Sequence, residues 1–400
     1  MTSMAELRPD VATRNIPLGY LRTFLTLLVV GHHAALAYIE LGLKPATALD
    51  APPMIWGAFP IIDKVKVPGL ELFVGLNDTF FMALLFLLAG IFSWPSLQRK
   101  GSIAYMRNRG WRLGLPFLIG ALLLAPLAYF PTYLATGATP SLLGFASLWW
   151  SLGSHPAGPV WFLWVLLAFS AIASICFEFS PDWLDLWQSW IGRFSDRPIH
   201  FFISLMLLSS LAYIPMVMWW TPEKWIDLGI FWIQIGRSLY YFLYFAIGLG
   251  LGAQGLFASG GMLARRWFVW VPSALFSYII GIGIFIAIMS TMAKGGPGIG
   301  LSLVGHFSFT LSSAAISMAA LAVFLRFMNT RGPLWDSLSE NAYGIYILHY
   351  VAVIWLQYAL LPIPLPAFGK FAIAWLGGVL IPWGLTSLLR RSTPMRRILG

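Results

Sequence analysis

Tyr20-Leu21-Arg22-Thr23-Phe24-Leu25-Thr26-Leu27-Leu28-Val29-Val30-Gly31-His32-His33 lies within an apolar run at 17–39 that is long enough to cross a bilayer as a helix. Its polar residues are placed where lipid makes them expensive. Arg22 and His33 are 11 residues apart, about 20° beyond three full helical turns, so one face presents both, separated by about 16 Å along the axis. His32 lies some 80° off that line. A charge inside a span costs at least about 2.5–3.5 kcal/mol on insertion scales, so such residues generally face a cavity or a partner and mark function. The bland alternative is two unrelated residues, Arg22 reaching for the interface and His33 bonded to a neighbouring helix.

Similar apolar stretches recur near 73–94, 113–134, 159–178, 200–220, 229–254, 267–290, 301–325, 342–361 and 371–389. Hydrophobic residues make up 59% of the 400-residue chain and charged residues 10%. That is too little charge to cover a water-facing surface, where about a quarter is usual. The expected fold is an all-α integral membrane protein of about ten transmembrane helices. Ala35-Leu36-Ala37 looks like a signal-peptidase site, but Arg22 interrupts the apolar run and two histidines precede the cut, so the first span is read as retained. Placing the N-terminus in the cytoplasm puts 17 of the 25 Lys and Arg residues on that side, Arg8 and Arg14 among them. Positive charge favours the cytoplasmic side, so both termini are expected there. The domain plan is a cytoplasmic segment 1–16, a membrane domain 17–390 and a basic cytoplasmic tail 391–400.

The net charge of +10 follows from this asymmetry, and no window has the dense basic, polar composition of a nucleic-acid interface. The single cysteine, Cys176, excludes intramolecular disulfides and cysteine clusters, and no histidine spacing suggests a metal. Residues 141–152 are too short to span and suit an interfacial or re-entrant helix with Trp149 and Trp150 at headgroup level. Gly248, Gly250 and Gly252 form a small-residue helix-packing pattern.

Three further polar groups stand out. Arg99, Lys100, Arg107, Arg109 and Arg112 crowd the turn before the third span. Arg109 and Arg112, at i and i+3, are expected on one side of the entering helix, where guanidinium forks suit phosphate oxygens. Asp78 enters the second span at a depth matching His33, so it is a candidate to hold the His33 tautomer; Arg237 is a candidate partner for Asp78 or for Glu71, or simply reaches for the interface. His349 follows Tyr343 and Tyr346 in the ninth span and is a third buried imidazole, but a depth count places it nearer the cytoplasmic side, out of direct reach of His33.

These residues together resemble the membrane-bound acyltransferase-3 family over about residues 17–390. Arg22 and His33 match its Arg-x10-His, and Arg109 and Arg112 its Arg-x-x-Arg. Phe80 to Gly90 resembles its Phe-rich stretch, with Ala89 in place of the usual Ser. Arg112-Leu113-Gly114-Leu115-Pro116, Val160-Trp161-Phe162-Leu163 and the segment Asn341 to His349 match further signatures. The stand-alone layout is similar to the glucan-succinylating branch.

The resemblance implies a membrane O-acyltransferase in the inner membrane of a bacterium. It would take an acetyl or succinyl group from cytosolic acyl-CoA to a carbohydrate or related hydroxyl at the outer face, without a metal. Catalytic roles then fall to His33, with Asp78 and His349 in support, and coenzyme binding to Arg22, Arg109 and Arg112. Direct transfer and an acyl-histidine relay both remain open. The rival class is a proton-coupled transporter or flippase using the membrane histidines as a relay.

Overall fold

The protein is described here from a computed structural model covering residues 15–50, 55–194, 197–254 and 261–399. Arg8 and Arg14 lie outside these residues. The elements are α1 (Ile16–Ala35), α2 (Leu70–Lys100), α3 (Ser102–Ala135), α4 (Leu142–Ser151), α5 (Gly158–Phe179), α6 (Pro181–Gly192) and α7 (Pro198–Trp220). Strands β1 (Trp225–Leu228) and β2 (Phe231–Gln234) follow. The chain continues with α8 (Ile235–Gln254), α9 (Trp267–Met292), α10 (Ile299–Phe327), α11 (Pro333–Leu360), α12 (Ala367–Leu389) and α13 (Thr393–Leu399).

Among the described residues, eight helices are long and apolar enough to cross a membrane: α2, α3, α5, α7, α9, α10, α11 and α12. Helices α1 and α8 have 20 residues each, enough for about 30 Å, but are less apolar because they carry Arg22, His32 and His33, and Arg237 with three tyrosines. These ten account for the expected spans. The sixth begins later than expected: residues 225–234 pair as an antiparallel hairpin, turning at Gly229 with φ +72, and the helix starts only at Ile235. A glycine in the left-handed region at the turn favours a tight hairpin there over a helix.

Helix α2 sits at the centre, packed along α8 so closely that backbones touch. A Cβ on Gly90, Gly248 or Gly252 would come within 2.2, 2.1 or 2.4 Å of a carbonyl oxygen on the facing helix. Gly250 faces Ile191 of α6 instead. At the opposite extreme, α9 turns Phe268, Leu275, Phe276, Ile279 and Phe285 outward, as a lipid-facing helix does.

One apolar core fills the middle of the bundle. A second, around Tyr38, Trp56, Tyr129, Trp149, Tyr350 and Phe371, closes one end beneath the 36–50 and 55–69 loop. That loop is fastened by a fully buried ion pair, Lys370 to Asp63 at 2.8 Å. Trp149 belongs to this second core, ring-stacked on Tyr129, so only Trp150 of the expected pair is exposed. At the other end, the segment expected as a tail folds as α13, with Leu399 buried against the bundle.

Candidate functional site

Helix α1 starts at Asn15, whose side chain accepts from the Leu18 amide, and stops just beyond His33. A helix leaves its last carbonyls without intrahelical donors. Gln357 of α11 supplies them, donating to the carbonyls of His33 at 2.9 Å and Ala34 at 3.1 Å. This amide, eight residues beyond His349 in an apolar helix, was not singled out in the sequence. Its isolation among apolar neighbours was the available signal.

The same two helices bring His33 and His349 together, with His33 Nδ1 3.3 Å from His349 Nε2. The expectation that His349 lies too near the other end was wrong because α11 begins at Pro333, not near 342. Its first turns carry Asp336, Ser337, Glu340 and Asn341, which lower hydropathy but remain helical. Measured from the helix starts, His33 and His349 then stand at nearly equal heights, each about 25 Å up. Tyr20 donating to Asp336 at 2.7 Å fixes that register one end below, and both contacts join residues 316 apart in the chain. The two helices run parallel and in step.

The hydrogen bonds decide the tautomers. A backbone carbonyl only accepts, so His349 Nδ1, 2.6 Å from the Tyr346 carbonyl, carries a proton and its Nε2 presents a lone pair. His33 Nδ1 faces that lone pair and, at 2.8 Å, the Val29 carbonyl. It is therefore the N–H, shared between two acceptors, and the basic nitrogen of His33 is Nε2. The ring is half-buried, with Tyr350 edge-on at 5.2 Å and His32 at 5.5 Å. An imidazole gripped by one nitrogen with the other lone pair open is arranged to take a proton.

Asp78 does not orient His33. Its carboxylate is held bidentately by Arg237, Nη1 to Oδ1 at 2.9 Å and Nη2 to Oδ2 at 2.8 Å, and the imidazole it acts on electrostatically is that of His32. Depth along the span matched, but direction around the helix did not. Asp78 shares its face of α2 with Phe81, which meets the His32 ring at 5.2 Å. A permanent planar cation also competes better for a carboxylate than a neutral imidazole. Arg237 is buried, its guanidinium over the Phe309 ring at 5.1 Å.

The basic cluster departs from its expected geometry. Residues Gly110–Gly114 form a π turn, which closes i to i+5 and so swings Arg112 away from the face of Arg109. Arg109 turns inward, donating to Ser93 at 2.6 Å and covering the Tyr105 ring, while Arg112 is exposed. Both still act electrostatically on Lys100, with Arg99, and on Tyr343. Arg22 lies over the ring of Phe92, beside Ser93, so Arg22 and Arg109 engage adjacent residues of α2. A shallow recess nearby is lined by Lys100, Ala104, Arg107, Asn108 and Trp111.

Helix α11 links this cluster to the histidines. Pro116 cannot donate to the Arg112 carbonyl four residues before it, and the Tyr343 hydroxyl does so instead. Pro131 likewise frees the Leu127 carbonyl, which accepts from Trp355 at 2.9 Å. Tyr343, Tyr346 and Tyr350 thus form a column about 10 Å long from the arginines to His33.

Compared with known protein families, residues 16–387 match the one described as an acyltransferase domain. No curated protein and no solved structure matches the chain.

Proposed function

The chain belongs to the acyltransferase domain family, and from that membership we propose a membrane O-acyltransferase. It takes an acyl group from acyl-CoA and gives it to a hydroxyl of a carbohydrate or related acceptor. The arginine-rich end faces the bacterial cytoplasm, as positive charge favours, and the His33 end faces outward. Arg109 and Arg112, with Arg22, Arg99 and Lys100 adding to the field, attract the coenzyme phosphates. The pantetheine arm follows the tyrosine column of α11 and brings the thioester to His33.

There His33 Nε2 removes the proton of the acceptor hydroxyl as its oxygen forms the new bond to the acyl carbon. The carbon–sulfur bond breaks, and the departing coenzyme thiolate takes that proton from the imidazolium. His349 Nε2 and the Val29 carbonyl both accept from Nδ1–H and steady the ring while it is charged. The observation that carries this reading is the placement of His33 Nδ1, 2.8 Å from the Val29 carbonyl and 3.3 Å from His349 Nε2, which leaves Nε2 as the nitrogen for the acceptor proton.

Release of free thiol from acyl-CoA by the purified protein, with a cell-envelope glycan fraction supplied as the hydroxyl acceptor, tests it. His33→Ala should lose roughly 10²–10⁴-fold of that rate, the usual share of a general base. Arg109→Gln with Arg112→Gln should raise KM for the coenzyme. Thiol release by the His33 variant at the normal rate would refute the assignment. A transporter would release none from the start.

A further inference from the structure

A narrow cavity lies between the second π turn of α3, Gly120–Leu124, the start of α5 and helix α11. Its walls include Leu124, Ala157, Val160, Tyr346, Tyr350 and Val351. Two of these also wall the histidine pair: Tyr350 is edge-on to His33 at 5.2 Å, and the Tyr346 ring is 5.9 Å from His349. Resting on the reading above, we propose that this cavity is the acyl pocket, that Leu124 and Val160 limit the chain it admits, and that the group it takes is short and uncharged.

Chemistry and size both point this way. The tyrosines offer the cavity only ring faces, because their hydroxyls are engaged elsewhere. Tyr346 donates to the Pro159 carbonyl, and Tyr350 meets Tyr129, which in turn donates to the Gly57 carbonyl at 2.7 Å. The other walls are aliphatic, and no lining residue is charged. A carboxylate-ended acyl group would enter without a donor or a counter-charge, at a heavy desolvation cost. The free space admits a methyl-sized group and little more.

The walls are held closely on both sides. A Cβ on Gly120 would stand 2.7 Å from Val160, and one on Gly158, at φ +60, would stand 3.0 Å from the Tyr350 ring. Glycine at these two positions lets α3 and the α5 entry close on the cavity. The backbone there has little room to yield to a longer chain.

The test compares acetyl-, propionyl-, butyryl- and succinyl-CoA as donors to the purified full chain in nanodiscs, with a cell-envelope glycan fraction as the hydroxyl acceptor and thiol release as the readout. The wild type should prefer acetyl over butyryl by at least about tenfold, since each methylene in an apolar pocket changes discrimination by roughly 10–200-fold. Succinyl-CoA should give no release above background. Val160→Ala should raise the propionyl-to-acetyl ratio by about tenfold. Leu124→Ala, at a less buried wall position, should shift it the same way and covers the case in which the first variant folds poorly. Unchanged ratios in both variants, or succinyl release equal to acetyl release, would overturn the pocket while leaving the acyltransferase reading in place. Release from none of the four thioesters would instead refute that reading and the pocket with it.

Discussion

Replacing His349 with Phe separates orientation from proton transfer. The ring volume is kept, which matters because His349 is fully buried, but the acceptor for His33 Nδ1 is lost. When His33 becomes a cation, a hydrogen bond to it is worth about 1.5–3 kcal/mol. The bond to His349 is long at 3.3 Å and is shared with the Val29 carbonyl at 2.8 Å, which survives the substitution. The loss should therefore fall at or just below the bottom of that range, about 1–1.5 kcal/mol, or roughly a 5–13-fold fall in kcat. The loss of a base at His33 is far larger, roughly 10²–10⁴-fold. The variant also strips the Tyr346 carbonyl of its partner, which should lower stability by about 1 kcal/mol. The assay is thiol release normalised to folded protein, with thermal unfolding followed in parallel. A loss as large as that of His33→Ala would mean that His349 itself handles the proton. No loss at all would remove it from the site.

Lys370→Met should destabilise the protein by about 3–5 kcal/mol by leaving the Asp63 carboxylate buried and unpaired, and Lys370→Met with Asp63→Asn should recover much of it in thermal unfolding. Gly248→Ala forces α2 and α8 apart at the Leu87 carbonyl, and a loss of about 1–3 kcal/mol is expected in the same measurement; retained stability would mean the two backbones can separate freely. Gln357→Leu leaves two carbonyls at the end of α1 without donors, so it should cost about 1–3 kcal/mol and lower kcat while KM for the coenzyme stays near normal.

Hydropathy located the spans because lipid allows only helices whose backbone bonds close internally. It misjudged their ends where polar residues continue a helix or a turn motif displaces one. Asp336 to Asn341 are helical at the foot of α11, and Gly229 turns a hairpin where a span was expected to begin. The site was legible in its residue types and partly in its depths. His33 stood out because an imidazole in a span has few other reasons to be there. What one sequence does not encode locally is direction around each helix. Asp78 matched His33 in depth and faced Arg237 instead, and Arg112 lost its alignment with Arg109 to a π turn that Gly110 and Gly114 bracket. Gln357 acquires its role only through a helix remote in the chain, and Ser93 through the fold-back of the next one.

The two least apolar spanning helices occupy places that lipid could not. Helix α8 hides Arg237 against Asp78 of the central α2, and α1 turns its histidines toward α2 and α11. Each polar residue is tolerable only because an apolar helix covers it, so the positions of the charges and the packing order constrain each other. For α1 and α11 this constraint becomes a register. Tyr20 on Asp336 and His33 on His349 are both 316 residues apart, so a slip of either helix by one residue would break both contacts together. A slip would also carry Gln357 away from the end of α1. The tautomer of His33 is thus held by three contacts spread along more than 20 Å of parallel helix, and changes near Asp336, remote from the chemistry, should be felt at the imidazole.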